Sequence, residues 1–208
     1  MPNQYLPLLP DNYYHLNNRA VGNERLFRSE ENYRYFLRKL KEHILPVAHL
    51  WTYSLMLNHF HLLVKVREEH VIELFYKTKK LKNYNPEIQF ISDFIMEQFR
   101  NCLNGYAKAF NKMYKRQGAL FLDYLKRSIA FNDHDITSFI FYIHKNAVHH
   151  RVTNKIGEWK YDGYRAIISE GNTELARQEV IEWFGTVKQF IQFHKQPVDL
   201  KHNYKYFE

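Results

Sequence analysis

His59 and His61 stand two positions apart in the run Leu57-Asn58-His59-Phe60-His61-Leu62-Leu63-Val64. Strand side chains alternate between faces, so Phe60, Leu62, Val64 and Val66 fall on one side and both histidines on the other. Two imidazoles so placed can hold one divalent cation and leave its remaining coordination positions open. The plainer alternative is a pair of polar positions on a half-exposed strand. A second group of residues lies far along the chain. Ser138, Tyr142 and Asn146 recur every fourth position and share one helix face. Asn146 offers an amide oxygen able to bind a cation, and Tyr142 projects beside it. The plainer alternative for Tyr142, one of 16 tyrosines, is an amphipathic ring at the edge of a core.

Placing these groups together requires a scaffold, and the hydrophobic periodicity supplies one. Residues 13–19 read as a first strand. Ser29 is an N-cap candidate with Asn32 three residues on. The helix that follows carries Tyr33, Phe36, Leu37, Leu40 and Ile44 on one stripe and ends at Pro46. Residues 47–56 form a second strand, and 59–66 return after a tight turn at Leu57-Asn58. Strand, helix, strand, strand is the first half of a ferredoxin-like or RRM-like α+β unit. Residues 67–86 are charged, with Lys77, Lys79, Lys80 and Lys82 close together, and read as a solvated helix or loop. A long helical pattern over 88–116 places Ile91, Phe94, Ile95, Cys102, Tyr106, Phe110 and Met113 at helical spacing. Gly118 suits its C′ position, and its last turns are basic. A last strand is expected over 126–131. Asn132, Asp133 and Asp135 can then cap a helix over 136–149, with Ile136, Ile140, Ile143 and Ala147 as its buried stripe. Residues 152–171 form a connection that wraps the domain, and 173–193 hold two helices split at Gly185. The expected fold class is thus α+β: an antiparallel sheet with helices packed on it over 1–151, and a helical C-terminal extension over 152–208.

Composition narrows the partners. The 208 residues are 45% hydrophobic and 17% aromatic, ample for a core. A formal charge of +8 and a pI near 9.4 favour polyanions, nucleic acid before an anionic membrane surface. The single cysteine, Cys102, excludes an intramolecular disulfide and a cysteine-based zinc site, and its neighbours Phe99, Leu103 and Tyr106 imply a buried thiol. No stretch reaches the roughly 20 apolar residues of a membrane span. The N-terminus shows no basic region followed by an apolar run. A reducing, cytoplasmic and nucleoid-associated setting is the expectation.

The stretch Leu57 to Val64 resembles the His-hydrophobic-His motif of single-strand DNA transposases of the HUH tyrosine type, and more narrowly of the REP-associated tyrosine transposases. Other stretches resemble the same family in the same order. Tyr13-Tyr14-His15-Leu16-Asn17-Asn18-Arg19 is similar to its opening strand, and Gln117-Gly118-Ala119-Leu120-Phe121 to the segment before its last strand. Phe141-Tyr142-Ile143-His144-Lys145-Asn146-Ala147-Val148 resembles its tyrosine helix. Residues 159–164 are similar to a Trp-x-x-Ser-x-Tyr segment, and 180–185 to a later helix. Two departures stand out. Ala147 replaces the usual proline, which bears on how that helix ends. Asp162-Gly163 replaces the serine region, with a surface contact as the expected consequence.

The resemblance implies cleavage and rejoining of single-stranded DNA near short imperfect hairpins. A divalent cation, Mg²⁺ or Mn²⁺, would be held by His59, His61 and Asn146, and Tyr142 would be the nucleophile. Arg19, Lys108, Lys112, Lys115 and Arg116 are expected on DNA phosphates, with a homodimer possible. Two other classes compete: a single-strand DNA or RNA binder on the same sheet with its nuclease activity lost, and a divalent-metal sensor or hydrolase built on His59, His61 and another histidine.

Overall fold

Strand β1 (Tyr13–Arg19) lies between two antiparallel neighbours. The computed structural model describes residues 6–79 and 83–197, so Lys80, Lys82 and the tail from 198 fall outside the described residues. β1 pairs with β3 (His59–Val66) on one side and β4 (Lys126–Ile129) on the other, while β2 (Ala48–Leu55) forms a hairpin with β3. The strand order is β2-β3-β1-β4, the ferredoxin-like α+β arrangement. Register matters most at His61, which stands opposite Asn17 on one side and Ser54 on the other.

The side of the sheet that carries Phe60, Leu62 and Val64 is covered by α1 (Glu30–His43) and α3 (Ile88–Met113), which pack on each other. Asn32 Oδ1 accepts the backbone N–H groups of Arg28 and Ser29, so the Ser29-to-Asn32 cap works without a glutamate. Phe36 meets Phe60 at 5.1 Å between ring centres and is fully buried. Its removal would cost about 3–5 kcal/mol. The charged segment is more than a solvated connection: α2 (Glu69–Thr78) buries Ile72 and Tyr76.

α3 ends earlier than its sequence pattern. Lys115, not Gly118, takes the left-handed C′ position at φ 52°, and the N–H of Arg116 reaches back to the carbonyl of Asn111 at 2.8 Å. That six-to-one bond is a Schellman closure. Gly118, at φ 86°, serves the following turn. Met113, expected on the apolar stripe, is 47% exposed at the helix end.

The opposite side of the sheet is covered by α4 (Asp133–His149), whose contacts fall on β2 and β3. Asn132 caps it, accepting the N–H of Asp135 at 3.0 Å. Ala147 keeps the backbone N–H that a proline would lack, and the helix runs on to His149. The extension continues the same layer with α5 (Tyr164–Ile168), α6 (Arg177–Phe184) and α7 (Val187–Phe193), the last two separated at Gly185, φ 89°.

Residues 161–163 run along the outer edge of β2, with Leu55 N–H on the Tyr161 carbonyl and Gly163 N–H on the Tyr53 carbonyl. This corrects the surface contact expected at Asp162-Gly163. Asp162 is 3% exposed, and a Cβ at Gly163 would lie 2.3 Å from Thr52 Oγ1. Only glycine lets the two backbones approach so closely.

Candidate active site

The face of the sheet beneath α4 carries His15, Asn17, His59 and His61, because these positions alternate with the apolar ones on β1 and β3. His61 Nδ1 lies 2.9 Å from His15 Nε2, with the two rings stacked. That contact engages Nδ1 and leaves Nε2 as the other ring nitrogen of His61. His59 stands at 5.1 Å from His61 between ring centres, nearly perpendicular to it. Burial lowers all three pKa values: His15 to about 3, His59 to about 4 with help from nearby His150, and His61 well below the ordinary range. All three rings are therefore neutral near pH 7, the form that binds a cation.

Tyr142 and Asn146 arrive from α4, one turn apart. The Tyr142 ring meets His61 edge-on at 5.3 Å and His15 at 5.6 Å, and it is only 1% exposed. The Lys145 ammonium stands 5.8 Å from the same ring centre. Asn146 is fully buried, with Oδ1 3.1 Å from His59 Nε2. On its other side, His59 Nδ1 lies 2.8 Å from Asn58 Oδ1. A neutral imidazole donates only once, so one of these contacts sets a nitrogen lone pair against an amide oxygen.

Turning the Asn58 amide would pair both ring nitrogens, whereas turning Asn146 moves the deficit onto the amide itself. Asn146 Nδ2 has no hydrogen-bond partner as placed, and after the turn Oδ1 would be the orphan. A cation between Asn146 Oδ1 and His59 Nε2 would also satisfy both of those atoms. Two ligands at about 2.1 Å in neighbouring octahedral positions sit about 3 Å apart, close to the spacing found. His59, His61 and Asn146 can together supply two ring nitrogens and an amide oxygen to a divalent ion, with Asn58 and His15 in contact with the two rings from behind.

In front of these groups lies a cleft of about 180 Å³, lined by His59, His61, Arg19, Lys126, Tyr124 and His150 among others. Arg19 is exposed at its mouth, the cross-strand partner of His59. Lys108, Lys112 and Lys115 are exposed along the end of α3. Arg116 has a different task. Its guanidinium donates to Glu24, to Asn111 and to the carbonyls of Gly118 and Ala119. It ties the end of α3 to the next turn, which takes it out of the set facing a strand.

The structure therefore brings Tyr142, Asn146, His59 and His61 together within one chain and adds groups that the pattern alone did not single out: His15, Asn58, Lys126 and His150. The one signal for His15 was the alternation of β1, which places it on the histidine face.

No family model matches the chain, and no curated protein does. Among solved structures it is similar to a REP-associated tyrosine transposase bound to a REP hairpin. The TM-score is 0.53 at 10% sequence identity, over 82% of this chain and 87% of that one. At that identity the likeness is one of fold.

Proposed function

We propose that this chain is a metal-dependent single-strand DNA endonuclease and strand transferase, acting near short hairpins through a 5′-phosphotyrosine. The observation that carries this reading is the placement of Tyr142 against His61, with Asn146 of the same helix 3.1 Å from His59. The basic surface and the shared fold with a hairpin-bound transposase support it.

His59, His61 and Asn146 would hold the ion, Mg²⁺ or Mn²⁺, and when bound it supplies Lewis-acid polarisation of a phosphate oxygen. The protein's own groups do the rest. Arg19 and Lys126 at the cleft bind the phosphodiester and neutralise its charge. The phenol oxygen of Tyr142 attacks phosphorus as its proton passes to solvent, forming the P–O bond of the phosphotyrosine. The bond from phosphorus to the 3′ oxygen breaks, and that oxygen departs as a hydroxyl after taking up a proton from solvent. A new 3′-hydroxyl reverses the step and rejoins the strand. Because Tyr142 is buried, a strand reaches it only when the chain around it opens.

The test is a covalent one. Hairpin-bearing oligonucleotides with Mg²⁺ or Mn²⁺ should give a 5′-linked adduct that survives denaturation, is destroyed by protease and maps to Tyr142. Tyr142→Phe should abolish it, with hairpin affinity near wild type. An adduct on Tyr124 or Tyr161 would overturn the assignment. No adduct under either metal would favour the non-catalytic binder.

A further inference from the structure

The active-site cleft is too small to hold more than the reacting phosphate and its immediate surroundings, yet it does not end blindly. It shares Asn18, Leu122 and Tyr124 with a trough of about 820 Å³ that runs between α3 and residues 118–125. On its other side it shares Asn58, His59 and His150 with a cleft of about 280 Å³ that reaches Asn23 and Arg25. The small cleft thus shares walls with an opening on each side.

The walls of the trough differ in chemistry. On α3, Arg100, Asn104 and Lys108 recur at four-residue spacing and are all exposed. Neither cation forms an ion pair among the described residues. The facing wall offers the apolar side of half-buried Leu122 over the buried Leu125, and the Tyr124 ring, 40% exposed, stands where trough and cleft meet. Exposed Asp123 lies on this wall too, where it repels phosphate and can accept from an exocyclic amino group. A single strand has the matching asymmetry, a charged backbone along one edge and flat bases along the other. Its phosphates would follow α3 and its bases would lie against residues 122–125.

We propose that this trough binds the unpaired nucleotides adjoining the cleaved phosphate, with Tyr124 as the stacking platform at its junction with the cleft. The proposal rests on the strand-cleaving reading above and deepens it by assigning the flank of the substrate to a place. Base stacking on an aromatic ring tolerates any sequence, so Tyr124 would hold the strand in register. Selectivity between bases would fall to Asp123 and Asn104.

The experiment uses the full-length protein in EDTA, so that binding is read without cleavage. The probes are hairpin oligonucleotides whose single-stranded flank carries 2-aminopurine at one position after another. Fluorescence at one flank position should be quenched on binding. Tyr124→Ala should abolish that quench and weaken affinity about tenfold, and Tyr124→Phe should retain both. A hairpin without a flank should bind the Tyr124→Ala variant as it binds wild type. Quench and affinity unchanged in Tyr124→Ala would place the strand elsewhere and overturn the proposal. The covalent assay separates the two readings. An adduct at Tyr142 without a Tyr124-dependent quench sinks the trough alone, whereas the quench without any adduct sinks the cleavage chemistry and leaves the trough as a binding site.

Discussion

His15 is the residue that fixes how His61 faces the cleft. Its ring stacks on that of His61, and their nitrogens lie within hydrogen-bonding distance. Partners of this kind typically contribute ten- to hundredfold to metal affinity. His15→Leu should therefore weaken Mn²⁺ binding by about that factor in isothermal titration calorimetry, with the fold retained. Unchanged affinity would reduce His15 to packing. Asp162 poses a different problem, because its Oδ2 and the hydroxyl of Ser54 opposite it are both buried without partners. Burial raises its pKa from 3.8 to about 7. The folded state then holds a proton that the unfolded chain has lost, so this group costs stability as pH rises from about 4 to 7. The cost levels off above that at about 4 kcal/mol. Asp162→Asn should raise the melting temperature at pH 8 and do little at pH 4. Equal gains at both pH values would mean that ionisation is not the cause. The sequence disclosed His59, His61, Tyr142 and Asn146, because each follows from a local period. It did not disclose His15 beside His61, or Ser54 beside Asp162, because those pairs depend on which residue of one strand stands opposite which residue of another.

α4 is held from behind as well as from the sheet. His194 Nδ1 lies 2.8 Å from the Phe190 carbonyl, and such a contact requires the proton on that nitrogen. His194 Nε2 must then accept from His144 Nδ1 at 2.8 Å, and His144 Nε2 from the Thr52 hydroxyl at 2.6 Å. With both rings neutral, a single arrangement of protons satisfies this chain. Burial keeps them neutral, lowering His194 to about 4 and His144 well below its ordinary range. Depressed histidines stabilise the fold above pH 6.5 and lose that contribution as pH falls through 6.5 toward 4. Acidification over that window should lower the protection of α7 amides relative to their intrinsic exchange rates, and His194→Phe should weaken that dependence. The same variant strands the His144 Nδ1 proton and should cost about 1–3 kcal/mol in chemical denaturation. Protection in α7 that stays constant with pH in the wild type would show that the histidine pair does not hold the extension. The elements themselves were legible: β1, β3 and the split at Gly185 fall where their alternation and glycine placed them. The end of α3 was not, because a lysine took the left-handed position that glycine usually fills.

Across the whole molecule, a charge of +8 says that a polyanion is welcome but not where it lies. The fold places one set of cations inside a trough and another beyond it. Arg100 and Lys108 line the trough, whereas Lys112 and Lys115 are exposed past it at the end of α3. Each phosphate contact on a single strand contributes about 0.7 to the slope of log affinity against log salt. With a flanked hairpin, Arg100→Ala combined with Lys108→Ala should lower that slope by about 1.4. The pair Lys112→Ala and Lys115→Ala should lower it by as much if both touch phosphate. The discriminating probe is the same hairpin without its flank. There the loss from the Arg100 and Lys108 pair should vanish, because nothing occupies the trough, while any effect of Lys112 and Lys115 on the stem remains. A slope change from Arg100 and Lys108 that persists on the blunt hairpin would place the stem, not the flank, along α3.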